Sequence, residues 1–380
     1  MNPSPITLKS ILECTVEKVV SGGFGLSRID GKVIFIEGAL PQEIVKVEVH
    51  TIKKDLLWAR VIEVIQAHPE RRIAPCEFFE KCGGCHLQYA TIELQNTIKK
   101  SIFEDGLKRI GKLSEYPEIE FVSGPEWAYR SRAKVKIKSP TLYGFSGRES
   151  HQFVPIKTCN VLTPRLNTWL QNRPQIKSTP QGDVQAFDNH SKVFAGHHAD
   201  DFSVVVKNKT FWLNNRVFFQ SNLILLEQFI DFAMPPKPVN LAIDLYSGVG
   251  LFAAFLEDYS EKVIAVEREK ECLRLAQKNT SSSKTSFFSG STEDWIVKNP
   301  NLKPDWLIVD PPRAGLDKGV IQQISQWNID ELCYLSCNPD TFARDLNIFK
   351  SFGYEATEIK AFDFYPQTFH LEVGAKLKRV

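Results

Sequence analysis

LAIDLYSGVGLFAAFLE, Leu241 to Glu257, runs from an apolar strand through a glycine turn into a helix, and its reading decides the fold of the C-terminal third. Gly248 and Gly250 carry no Cβ, so the backbone there can approach a ligand closely at the head of the strand. Downstream, KVIAVE, TSFFSG, DWLIVD and ELCYLS alternate with helix-length stretches. That grammar predicts an α/β domain with a doubly wound, Rossmann-like parallel sheet.

In such a sheet, ligands gather at the carboxyl ends of the strands. Glu267 ends KVIAVE and is placed to accept hydrogen bonds from a ribose; Asp310 ends DWLIVD. Asp244 adds a carboxylate near the first strand end, suited to a cationic amino-acid moiety. The glycine turn also fits a dinucleotide fingerprint, but the extra carboxylates tilt the reading toward S-adenosylmethionine. Asp310-Pro-Pro is a rigid terminus, because neither proline can donate to a ladder. Arg313 follows where many amino-methyltransferases have an aromatic residue, and an arginine suits a phosphate or a carbonyl-rich base better.

Toward the N-terminus, TVEKVV, GKVIFI, EIVKVEV and WARVIEV, punctuated by SGGFG, RIDG and GALPQ, predict a small OB-like β-barrel. HPERRIAP reads as a linker. The stretch TIELQNTIKKSIFEDGLKRI predicts a helix, with Ile92, Leu94, Ile98, Ile102 and Leu107 on its apolar face. From Trp127 to about Leu213 the pattern is mostly β, and SNLILLEQFIDFA predicts a helix closed by PPKP. The expected domains are residues 1–68, 69–215 and 216–380.

A net charge of +2 is too small to point to nucleic acid by itself. The local pattern says more: in YRSRAKVKIK, Arg130, Arg132, Lys134, Lys136 and Lys138 alternate, so a strand would present them on one face, where an RNA backbone could neutralise them. Eight cysteines, three of them in CEFFEKCGGC, fit a reducing compartment and a metal or cluster site better than a disulfide framework. No run approaches the roughly 20 apolar residues of a membrane span. A cytoplasmic protein without membrane contact is expected, and a monomer by default.

Cys337 is the first residue beyond ELCYLS, and Asn338-Pro339 must turn the chain there. A thiol beside a methyl donor suits one chemistry: adding to carbon 6 of uracil makes carbon 5 nucleophilic. A base must then take the carbon 5 proton. FDFYPQTFHLEVGAKLKR supplies His370 and Glu372, two apart and on one face of an extended segment.

Together FFQSN, DLYSGVG, DPPRAG, SCNP and PQTFHLE, with the N-terminal barrel and the cysteine cluster, resemble the RNA uracil-5 methyltransferase family, which makes 5-methyluridine in transfer and ribosomal RNA. The resemblance implies that Cys337 is the nucleophile and Glu372 the general base. It implies S-adenosylmethionine held by Gln220, Tyr246, Glu267 and Asp310, with Ser291 on the adenosine side. Where many members have an asparagine after the loop glycine, this chain has Leu251. Cys76, Cys82, Cys85 and Cys159 match the family's [4Fe-4S] ligands; by spacing alone a four-cysteine zinc site competes. The barrel looks like a TRAM domain, an RNA-binding module, and 23S ribosomal RNA is favoured over transfer RNA as the target. Two other readings remain: a nitrogen methyltransferase using Asp310-Pro-Pro, and a non-catalytic iron-sulfur RNA-binding protein.

Overall fold

The computed structural model describes residues 6–148, 152–174, 182–196, 200–281 and 283–380. The chain forms two compact units, one of Met1–Ile102, Ser146–Val154 and Tyr365–Phe369, the other of Phe103–Phe145, Pro155–Phe364 and His370–Val380. No described helix is long and apolar enough to cross a membrane.

In the first unit, alternation of apolar and polar residues makes six strands: β1 Ile11–Thr15, β2 Lys18–Val20, β3 Phe24–Ile29, β4 Lys32–Glu37, β5 Ile44–Lys53 and β6 Leu56–Gln66. They pair in the order β1-β5-β6-β4-β3-β2. Ile34 and Ile36, Val45, Val47 and Val49, and Leu57 and Ala59 turn inward as the period of two requires. The end strands β1 and β2 are joined through Val16 and Glu17, whose N–H groups donate to Glu43 and Leu26 carbonyls. Among the described residues the expected barrel is thus a six-stranded sheet whose ladder does not close between β1 and β2. Helix α1, Ile92–Arg109, forms where the periodicity predicts it.

In the second unit a short strand, β7 Ile119–Ser123, precedes the mostly β middle region: β8 Arg132–Ser139, β9 Leu142–Ser146, β10 Phe153–Pro155, α2 Pro164–Asn172, β11 Gly182–Asp188, β12 Val193–Gly196, β13 Phe202–Val206 and β14 Lys209–Leu213. Strand β8 buries Ala133, Val135 and Ile137 and turns Arg132, Lys134, Lys136 and Lys138 to the other face. The basic row is partly answered within the protein: Lys134 pairs with Asp183 at 2.7 Å on neighbouring β11. Arg130 lies before the strand and donates to the Arg132 carbonyl at 2.9 Å.

After α3, Leu223–Ala233, come β15 Val239–Leu245, α4 Leu251–Leu256, β16 Ser260–Glu267, α5 Lys270–Asn279, β17 Thr285–Ser289, α6 Thr292–Lys298, β18 Trp306–Val309, α7 Lys318–Gln326, β19 Glu331–Ser336, α8 Pro339–Ser351, β20 Tyr354–Asp363 and β21 Glu372–Arg379. They build one eight-stranded sheet, β17-β16-β15-β18-β19-β21-β20-β7. Strands β17 to β19 in this order are parallel and follow the doubly wound expectation.

The rest corrects that expectation, because β21 runs antiparallel to both β19 and β20 and the sheet is mixed. The segment between β20 and β21 is too short for the crossover that a parallel pair needs, so the two strands fold back as a hairpin. The β15, β18 and β19 strands are buried on both sides, with Leu307, Val309, Leu332 and Tyr334 among the core that α7 and α8 cover.

Candidate active site

The glycine turn after β15 is tight by necessity. Tyr246, Gly248 and Gly250 all have positive φ, and a Cβ on Gly250 would lie 3.0 Å from the Cβ of Ala276. Two carboxylates hold this turn from below. Asp244 is fully buried and accepts from the Ala253 N–H at 2.9 Å. Glu267, at the end of β16, accepts from Gly248 N–H at 2.9 Å and from Glu269 N–H at 2.7 Å. Asp244 does not line the space above the turn, although its second oxygen, Oδ1, has no hydrogen-bond partner in the protein, whereas Glu267 both braces the turn and lines that space.

That space is a cavity of about 520 Å³ at the carboxyl ends of the parallel strands. The structure brings Gln220, Tyr246, Glu267, Asp310, Cys337 and Glu372 together on its wall, with Leu251 as an apolar panel. Ser291 instead caps α6, accepting from Asp294 N–H, while its neighbours Gly290, Thr292 and Glu293 line the cavity. Tyr246 donates to Glu293 at 2.8 Å, and burial together with that carboxylate pushes its phenol up. Gln220 Oε1 and Ser247 Oγ are buried with no hydrogen-bond partner in the protein. Orphaned buried polar atoms are costly unless a ligand answers them, so the cavity is suited to a polar molecule as large as a nucleoside.

Sheet register decides how the reactive pair meets. Ser336 is paired with Val373 in the antiparallel β19–β21 ladder. The ladder ends there: Cys337 is the next residue after β19 and Glu372 the first of β21, and both line the cavity. Asn338 ends β19, accepts from Asp340 N–H at 3.1 Å and so caps α8, with Pro339 in its first turn. Cys333, within the strand, is fully buried packing.

The electrostatics of the empty cavity favour neutral groups. Burial pushes Glu372 up to about 8, Asp310 adds to the rise, and Arg313 opposes it. Asp310 is pushed up to about 7 by burial. The Cys337 thiol rises to about 11, first through burial and then through Glu372 and Asp310, again opposed by Arg313. Removing water penalises the charged form of both acid types. Arg313 is the cation that the sequence did not identify; its place after Asp310-Pro-Pro was the available signal. Phe218, 67% exposed on the same wall, is a second lining residue not read from sequence. His370 does not line the cavity.

Among the described residues, no three His, Cys, Asp or Glu side chains are gathered so as to hold a metal ion. Cys76, Cys82 and Cys85 belong to the first unit and Cys159 to the second. The [4Fe-4S] centre that the resemblance implies is not supported by these positions, and no chemical step is routed through one.

Known proteins share these features. The family model described as tRNA (Uracil-5-)-methyltransferase matches residues 298–380, which contain Asp310, Cys337 and Glu372. The TRAM domain model matches residues 7–62, so the six-stranded sheet belongs to a TRAM domain. An uncharacterized RNA methyltransferase of Treponema denticola is 30% identical over 94% of this chain and 96% of its own. A 23S rRNA (uracil(1939)-C(5))-methyltransferase of Methylococcus capsulatus is 27% identical over 96% of each chain. The crystal structure of Pyrococcus abyssi tRNA (uracil-54, C5)-methyltransferase with S-adenosyl-L-homocysteine superposes with a TM-score of 0.73 at 21% identity, covering 96% of this chain and 100% of that one, which shows a common fold. With a TRAM domain, a uracil-5 methyltransferase C-terminal region and full-length relatives that methylate RNA, the chain belongs to the RNA uracil-5 methyltransferase family and is an enzyme that acts on RNA.

Proposed function

We propose that this enzyme transfers a methyl group from S-adenosylmethionine to carbon 5 of a uridine, with Cys337 as nucleophile and Glu372 as general base. The observation that supports the proposal is the antiparallel β19–β21 ladder, whose last pair is Ser336 and Val373, with the adjoining Cys337 and Glu372 both lining the cavity beside Asp310 and Arg313. S-adenosylmethionine, when bound, supplies an electrophilic methyl on a sulfonium. Gln220, Tyr246, Glu267 and Asp310 would hold it, and the orphaned oxygens of Gln220 and Ser247 support the fit.

The protein's part is as follows. Cys337 gives its proton to solvent water and its sulfur lone pair bonds to carbon 6, so the carbon 5–carbon 6 π electrons move toward carbon 5 and the neighbouring carbonyl oxygen. Arg313, whose charge already opposes the rise of both Cys337 and Glu372, can donate to that oxygen as negative charge builds on it. Once carbon 5 carries the methyl, Glu372 takes the proton from carbon 5. The electron pair reforms the carbon 5–carbon 6 double bond and expels the thiolate. A base with affinity near neutral pH suits this task. The target uridine must leave its stack to reach the cavity, and the TRAM domain and the basic face of β8 can contribute binding that offsets unstacking.

The test is covalent trapping with RNA containing 5-fluorouridine. Fluorine cannot leave as a proton, so wild type should accumulate a methylated protein–RNA adduct and Cys337→Ser none. An adduct in Cys337→Ser, or none in wild type with any cellular RNA, would overturn the mechanism. A nitrogen methyltransferase would keep its activity in Cys337→Ser. The full-length similarity to a 23S rRNA enzyme supports ribosomal RNA as the target; base-resolution methylation maps with and without the gene decide between ribosomal and transfer RNA. The iron-sulfur reading rests on the resemblance and cysteine spacing alone, and iron and sulfide content of anaerobically purified protein decides it.

A further inference from the structure

We infer that the first turns of α8 act as a clasp on the loop that carries Arg313, making Asn338, Thr341, Arg344 and Asp345 positioning residues for the cation that serves Cys337. Asn338 Nδ2 donates to the Arg313 carbonyl at 3.1 Å, and the Thr341 hydroxyl shares its proton between that carbonyl and the Asn338 carbonyl, each at 3.2 Å. Arg344 donates to the Ala314 carbonyl at 2.9 Å and the Leu316 carbonyl at 3.1 Å. Asp345, with no exposed surface, accepts from Leu316 N–H at 2.8 Å, from the Tyr334 hydroxyl at 2.6 Å and from Arg344 at 2.8 Å. The loop is therefore held at Arg313, Ala314 and Leu316 by one helix.

The remaining position, Gly315, shows how closely the parts meet. Its φ is +74°, and a Cβ there would lie 2.5 Å from Asp345 Oδ2. A side chain at that point would both strain the backbone and push out the buried carboxylate. Helix α8 begins two residues after Cys337, so the segment that follows the thiol also holds the backbone of the loop that bears Arg313. A buried carboxylate with three donors is expensive to assemble and brittle to alter, which suits holding an exact geometry better than adding stability.

The inference rests on the reading that Cys337 attacks uracil. The titratable and charged groups that act on Cys337 are Glu372, Asp310 and Arg313. The experiment measures the rate of adduct formation with 5-fluorouridine RNA against pH for wild type, Thr341→Val, Asp345→Asn and Arg313→Ala, alongside the affinity for S-adenosylmethionine. Loosening Arg313 should move the rising limb upward by about half a pH unit, so Thr341→Val forms adduct about threefold more slowly at pH 7. Arg313→Ala should move it further, Thr341→Ser should match wild type, and donor affinity should stay the same.

Thr341→Val loses one hydroxyl at constant shape, so it decides the matter if Asp345→Asn does not fold. A limb that moves in Arg313→Ala but not in the α8 variants overturns the clasp and leaves the mechanism standing. Uniform slowing without a move along the pH axis also overturns the clasp. A limb unmoved even in Arg313→Ala, or no wild-type adduct at any pH, refutes the underlying reading instead.

Discussion

Glu372→Gln should make the unliganded enzyme more stable at alkaline pH while abolishing product release. In the folded protein Glu372 is 4% exposed and holds its proton up to about pH 8, against an ordinary 4.5. A carboxyl whose folded affinity for protons is raised contributes stability fully below about pH 4.5, and that contribution is lost as pH rises through about 8. At about 1.36 kcal/mol per tenfold change in proton affinity, the ceiling on the loss is about 5 kcal/mol. Water admitted by the open cavity screens part of it, leaving about 2 kcal/mol. The neutral glutamine avoids this loss, and Asp310 stays in both proteins. Melting of the cofactor-free proteins should therefore coincide near pH 5 and separate by about 5 °C in favour of Glu372→Gln at pH 8.5. In the same variant, natural uridine RNA should become trapped as a methylated adduct, because carbon 5 keeps its proton. Equal melting temperatures at both pH values would refute the claim that a buried, proton-holding carboxyl sits at this position.

Two further outcomes follow from the rest of the molecule. Glu43 has no exposed surface and is bound by Arg71, by Leu40 N–H at 2.8 Å and by His68 N–H at 3.1 Å, so Glu43→Gln, which leaves Arg71 without its counter-charge, should cost about 3 kcal/mol in urea unfolding; a change well under 1 kcal/mol would contradict that pairing. Replacing Lys136 and Lys138 on β8 with alanine should weaken RNA binding without regard to sequence and flatten the dependence of log affinity on log salt by about 1 to 2, whereas an unchanged slope would remove this face from the RNA path.

Local chemistry in the sequence carries much of this protein. The glycines of YSGVG, the strand-ending carboxylates and Asn338-Pro339 act through backbone rules and near neighbours, so LAIDLYSGVGLFAAFLE was legible as strand, turn and helix before any contact was known. Helices α1 and α3 formed where the apolar pattern and the PPKP breaker placed them, and Asn222 caps α3. The burial of Asp244 beneath the turn, where it accepts from Ala253 N–H, depends on how α4 packs, which lies outside local pattern. The row of charges on β8 was legible, but its partial neutralisation by Asp183 came from a strand some fifty residues away in sequence.

Tertiary structure decided the chemistry of the pair. Sequence supplied a thiol and a carboxylate at motif ends, and an all-parallel sheet would have put the start of β21 at the opposite edge from the end of β19. Because β21 enters antiparallel, its first residue, Glu372, lies at the carboxyl end of β19, next to the last pair of the ladder, Ser336 with Val373. Strand direction and register are set by pairing across the whole sheet, not by any local run of residues. Burial, equally non-local, raised the proton affinity of Glu372 to about 8 and of Cys337 to about 11, with Arg313 opposing both.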